Sequence, residues 1–136
     1  MSSLNDKKSL TQLLKERQLN VHSNGAQFTL QVLDEIVRDS SLINPKTTND
    51  IISFFPEYLV SLFGPMAPFV LRQWNMPSWK MLGRLVYFWI EMGVIQESEG
   101  DDINHFFNID IDIIDTLESL VESKYYPSLD HKLASY

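Results

Sequence analysis

Between Pro65 and Gly93 the apolar residues recur at helical spacing in two runs, and Asn75-Met76-Pro77-Ser78 stands between them. The proline stops the first helix and the serine supplies an N-cap for the second, so the local pattern is helix, tight turn, helix. The first helix is expected from about Pro65 to Trp74, with Pro65 and Pro68 both inside its first turn. The second is expected from Trp79 to Met92, with Gly93 as the left-handed residue that ends it. This is the layout of a helix-turn-helix, and no other stretch narrows the fold as much.

Beyond Gly93, VIQE and FFNIDIDI flank the acidic stretch SEGDDINH. Phe107, Ile109 and Ile111 alternate with Asn108, Asp110 and Asp112, which is the period of a half-buried strand. The pattern predicts a β-hairpin with a long acidic tip, in the position of a wing. Asp112 then reads as the cap of a last helix, IIDTLESLVESKYY, with Asp115 reinforcing its positive end.

Upstream, the chain reads as helices. SLTQLLKERQ gives a short first helix, followed by the polar break NVHSNG. AQFTLQVLDEIVRDSSL then places Phe28, Val32, Leu33, Ile36 and Val37 at helical spacing behind a cap at Ser23 or Asn24. NPKTTNDIISFFPEYLVSLFGP offers Thr47 and Asp50 in the spacing of a capping box, Pro56 as a kink or restart, and Gly64 as its end. The expected fold is a single domain over 1–136, mainly α with a small β-hairpin. It joins N-terminal helices to a winged-helix-like half at 65–125, with 1–22 and 127–136 as loose ends. A chain of 136 residues suffices to bury a core of that kind.

The absence of cysteine excludes disulfides and thiolate metal sites. The start, MSSLNDKKSLTQLLKERQ, has no apolar signal core. No run is read as reaching the ~18 apolar residues of a membrane span. The expectation is a soluble cytoplasmic protein with no membrane partner.

The net charge of −7 is unevenly spread. Residues 1–45 carry five basic and five acidic side chains, residues 46–94 four and three, and residues 95–136 two and ten. The C-terminal third therefore repels a polyanion and attracts a basic protein surface.

A winged helix that binds duplex DNA needs cations on its recognition helix and on its wing. Here the second helix of the pair offers Lys80 and Arg84, while the expected wing carries Glu97, Glu99, Asp101 and Asp102. The wing has the wrong sign, so nucleic acid is disfavoured. With Leu82, Val86, Trp89 and Ile90 assigned to the core, the exposed set is Lys80, Arg84, Tyr87 and Glu91, with Trp79 at the helix start. Aromatic and Arg side chains beside an acidic hairpin suit a protein interface, while the other reading of Trp79 and Tyr87 is packing beneath the wing or against the N-terminal helices. The candidate partner-binding residues are therefore Trp79, Lys80, Arg84, Tyr87, Glu97, Glu99, Asp101 and Asp102, and the expected partner is a protein with a basic surface. The alternative, a DNA-binding regulator, requires Lys80 and Arg84 to join Lys7, Lys8, Lys15 and Arg17 in one basic stripe.

Other chemistry is weakly signalled. Asp110 and Asp112 fall on one face of the expected strand, but no third ligand is spaced to complete a cation site. His22, His105 and His131 share no ligand spacing. No phosphate loop, nucleophile elbow or HExxH motif occurs. The reading is a non-catalytic interaction or regulatory module with no cofactor and no metal, its oligomeric state left open.

Residues 63–95, FGPMAPFVLRQWNMPSWKMLGRLVYFWIEMGVI, resemble the core segment of the Minf family of small bacterial proteins. That family shares an FGPxAxxVLxxWG stretch followed by a helix ending in ExGL. Phe63, Gly64, Pro65, Ala67, Val70, Leu71 and Trp74 match, as do Gly83, Val86, Glu91 and Gly93. Weaker similarity reaches back to Ala26 and forward to Phe107. Asn75 stands where the family has glycine, and asparagine tolerates the same left-handed backbone. The resemblance implies a compact bacterial domain and carries over no catalytic or binding residue.

Overall fold

The computed structural model describes residues 8–38, 48–95 and 104–126. Seven α-helices are found there: α1 Leu10–Glu16, α2 Ser23–Arg38, α3 Thr48–Phe63, α4 Ala67–Gln73, α5 Trp79–Glu91, α6 Asn104–Phe107 and α7 Ile113–Tyr125. A 3-10 turn, Gly64–Met66, joins α3 to α4.

The expected hairpin is not formed. Among the described residues there is no strand, so the winged-helix-like reading is overturned. Asn104–Phe107 is a helical turn, and it inverts the expected alternation: Phe106 is buried, whereas Phe107 and Ile111 are exposed. Two physical reasons account for this. Gly83 on α5 leaves a recess that Phe106 fills, with a hypothetical Gly83 Cβ only 2.7 Å from the Phe106 Cβ. Asp112 is committed to capping α7, its carboxylate accepting from the Ile114 amide at 2.7 Å. The residues expected at the hairpin tip, Glu97, Glu99, Asp101 and Asp102, lie outside the described residues.

Several helix ends follow directly from sequence. Ser9 and Gln12 form a reciprocal capping box on α1, and Ser78 accepts from the Met81 amide to cap α5. Helices α1, α4 and α5 each end in a Schellman motif whose C′ residue is left-handed: Gln18 at φ 58, Asn75 at φ 60 and Gly93 at φ 76. The defining bonds are Leu19 to Leu14, Met76 to Leu71 and Val94 to Trp89. The cap of α2 departs from expectation. The helix starts at Ser23, and the His22 ring Nδ1 accepts from the Asn24 amide at 3.0 Å. Pro56 is buried inside α3, which continues through it without restarting. Residues 10–19, placed by the sequence within a loose end, carry the buried Leu14 and Leu19.

Helix α3 is the hub. It packs against α2 on one side and α7 on the other, and it also meets α4 and α6, while α5 packs against α2 and α6. Helix α4 lies against α3 and α7 rather than against α5, so the pair joined by the turn is not a closely packed helix-turn-helix unit. The core runs from Phe55 and Leu59 of α3 through Val32 and Ile36 of α2 to Leu82 and Leu85 of α5, with Leu117 of α7 on the far side. Phe28 links these layers, its ring 5.2 Å from Trp74, 5.7 Å from Phe55 and 5.9 Å from Phe63. The pair with Phe55 is edge-on, an arrangement that adds to simple area burial, and the other two are tilted.

The helical run Asp50–Gln73, 24 residues counted across the 3-10 turn, is long and apolar enough to cross a bilayer by length and composition. Its apolar side chains divide: Ile51, Phe55, Leu59, Val60, Ala67 and Leu71 are buried, whereas Leu62, Met66 and Phe69 are exposed, and 44% of its most apolar window is buried. The run also turns at Gly64, whose φ of 57 is left-handed.

Candidate functional site

The sequence placed a partner-binding face on α5, and the structure redraws it. Trp79 is only 6% exposed and is not available as a surface aromatic. The reason is geometric: at 100° per residue Trp79 continues the stripe of Leu82, Val86 and Trp89. Gly83, Leu85 and Phe88 are buried as well, so α5 is enclosed on most of its circumference. What remains is a strip of about 60° carrying Lys80, Arg84, Tyr87 and Glu91. Lys80, Arg84 and Glu91 are exposed, and Tyr87 is half-buried.

The end of α1 lies over part of this strip. Arg84 donates to the Gln18 carbonyl at 3.5 Å, and the Arg17 guanidinium sits 5.7 Å from the centre of the Phe88 ring, with its Nε 3.6 Å from Glu91. Arg17 therefore does approach Arg84, but its charge is balanced by Glu91. Lys8 is paired with Glu16 at 2.6 Å, and Lys7 lies outside the described residues. Of the described cations at the N-terminal end, Lys8 and Arg17 are thus paired with carboxylates, and Lys15 is exposed on α1.

Two indole nitrogens on α5 contrast. Trp89 Nε1 donates to the Ala26 carbonyl at 2.9 Å, tying α5 to α2. Trp79 Nε1 is buried without a hydrogen-bond partner. Trp79 forms one wall of a cleft of 240 Å³ between the start of α5 and the 106–113 segment, where Asp110 and Asp112 also stand. Asp112 is occupied there as a helix cap. Among the described residues no group of three or more His, Asp or Glu side chains is placed to hold a metal ion.

The surface that sequence reading missed is the bend between α3 and α4. Leu62, Met66 and Phe69 are 52%, 54% and 52% exposed within eight residues of chain. Tyr125 of α7 extends this surface: its hydroxyl lies 3.3 Å from where a Gly64 Cβ would stand, and the residue is itself 43% exposed. A signal existed. Ala67, Leu71 and Trp74 fall on one side of a helix, which leaves Met66 and Phe69 turned away from it.

A second cleft, of 460 Å³, follows the outer face of α3 between Asp50 and Ser61, where the Phe54 and Tyr58 rings stack with centroids 5.3 Å apart. A third, of 300 Å³, lies between α3 and α7 with Glu57 and Lys124 in its walls.

No family model matches the chain, and no curated protein or solved structure matches it either.

Proposed function

We propose that the protein is a non-catalytic interaction module whose partner docks on the apolar bend around Gly64. The observation that carries this reading is the exposure of Leu62, Met66 and Phe69, each more than half exposed within eight residues of chain at the bend where α3, α4 and α7 meet. Single exposed apolar residues are ordinary, and three large ones around one helix junction favour a binding surface.

The surface first read on α5 supports the module less well. With Trp79 buried and Tyr87 half-buried, it keeps mainly Lys80 and Arg84. The same geometry disfavours reading DNA through α5. A recognition helix must present a broad face to a groove about 12 Å wide, and α5 offers a narrow strip partly covered by α1.

The test is affinity capture from a native lysate treated with nuclease, using the wild-type protein and Phe69→Asp side by side. A defined protein recovered by the wild type and lost by the variant supports the reading. Recovery that is equal with both, or that vanishes with nuclease, refutes it.

A further inference from the structure

The bend has a neighbour of one sign. On α7, Asp115, Glu118 and Glu122 are exposed, and with Tyr125 they fall within about 80° of arc. Tyr125 is the residue whose hydroxyl rests against Gly64, so this face of the helix leads directly onto the bend. From Tyr125 back to Asp115 the ridge runs for about 15 Å. Lys124 does not interrupt it. That side chain is turned to the other flank of α7, where it shares a cleft with Glu57 of α3. At the opposite end of the bend Arg72 is exposed, one turn beyond Phe69.

We infer that the partner at the bend is a basic amphipathic segment, whose apolar side chains cover Leu62, Met66 and Phe69 while its Lys or Arg residues lie along Asp115 and Glu118. The inference rests on the bend being the docking surface, and it adds the chemistry of the occupant. Complementary charge beside an apolar patch fixes orientation and speeds encounter. A helix with apolar anchors at i, i+3 or i+4, and i+7 and basic residues beside them is such a segment. An anionic lipid surface meets repulsion from the same carboxylates, and self-association is decided by the sedimentation arm of the test.

The probe is a displayed library of random 16-residue peptides, selected on the wild-type protein alone, and the winners are then measured on the wild type and on Phe69→Asp. Phe69 is half exposed, so the variant keeps its melting temperature, which is checked first. The expected winners carry a net positive charge and spaced apolar residues. Their affinity falls roughly thirtyfold or more with Phe69→Asp, as for an interface anchor, and several-fold with Asp115→Lys plus Glu118→Lys, as for rim charges. Winners that are neutral or acidic, or that ignore the α7 substitutions while still depending on Phe69, overturn the basic partner and leave the docking surface standing. Peptides that bind Phe69→Asp as well as the wild type, or no enrichment at all, overturn both. Sedimentation equilibrium and flotation with phosphatidylserine vesicles complete the test. Self-association or vesicle binding that disappears in Phe69→Asp assigns the bend to a second copy or to lipid, and the basic partner falls.

Discussion

Phe106 rests on Gly83 so closely that a Cβ on the glycine would stand 2.7 Å from the Cβ of the phenylalanine and 2.8 Å from its Cγ. The atoms met are the root of a side chain that is 1% exposed, not a tip that swings aside. Gly83→Ala gains about 1 kcal/mol of helix propensity, but it overpacks a site where added methyl groups cost about 1–3 kcal/mol. The expected outcome in thermal or urea unfolding is a less stable protein, with Gly83→Val worse than Gly83→Ala. A variant as stable as the wild type would show that Phe106 does not occupy the recess.

This contact explains why the wing was misread. The alternation of Phe107, Ile109 and Ile111 satisfies a strand pattern, yet nothing in a single sequence reveals that Gly83, 23 residues earlier, offers a place for Phe106. Where the deciding interaction was local, the sequence was legible: the Ser78 cap, the Asp112 cap and the left-handed Gly93 all stand as expected. The site shows the same division. Arg84 and Lys80 are exposed as their helical positions imply, and Trp79 belongs to the buried stripe that its own spacing already marked. At the bend the spacing of Ala67, Leu71 and Trp74 turns Met66 and Phe69 away from the core, but hydrophobicity alone does not say whether Leu62, at the end of α3, finds a neighbour.

Asn75 combines two tasks that substitution separates. Its backbone is left-handed at φ 60, and its side-chain amide donates to the Asn20 carbonyl at 2.5 Å, holding the turn against the segment before α2. Asn75→Gly keeps the backbone and loses the bond, for about 0.5–1.5 kcal/mol. Asn75→Ala loses the bond and also adopts a backbone that costs an L-residue about 1–2 kcal/mol. The ordering wild type, glycine, alanine in urea midpoints is the expected result. Equal midpoints for glycine and alanine would mean that the turn relaxes out of its left-handed form.

The two buried tryptophans of α5 are expected to respond differently to phenylalanine. Trp89→Phe removes the bond to the Ala26 carbonyl as well as ring volume. Trp79→Phe removes volume too, but it also removes a buried donor that has no partner, and an unsatisfied buried group carries a penalty of about 1–3 kcal/mol. Trp89→Phe is therefore the more destabilising of the pair in chemical unfolding. The reverse order would show that the Trp79 indole is hydrogen-bonded in solution.

Ala67 and Arg84 test the packing of the two helices flanking the turn. Ala67 is fully buried, in a helix held between α3 and α7, so Ala67→Leu introduces three heavy atoms where the neighbours are already in contact. An overpacking cost of about 1–3 kcal/mol is expected, and because the strain falls on α3 and α7 it also weakens protection of their amides in hydrogen exchange. Arg84→Glu exchanges one exposed side chain for another and forfeits a 3.5 Å contact with Gln18 at the limit of hydrogen bonding, so stability moves by no more than about 0.5 kcal/mol. If Ala67→Leu left the α7 amides untouched while slowing or hastening exchange in α5, the placement of α4 against α7 would be wrong, and the helix pair would have to pack on itself as the sequence alone implies.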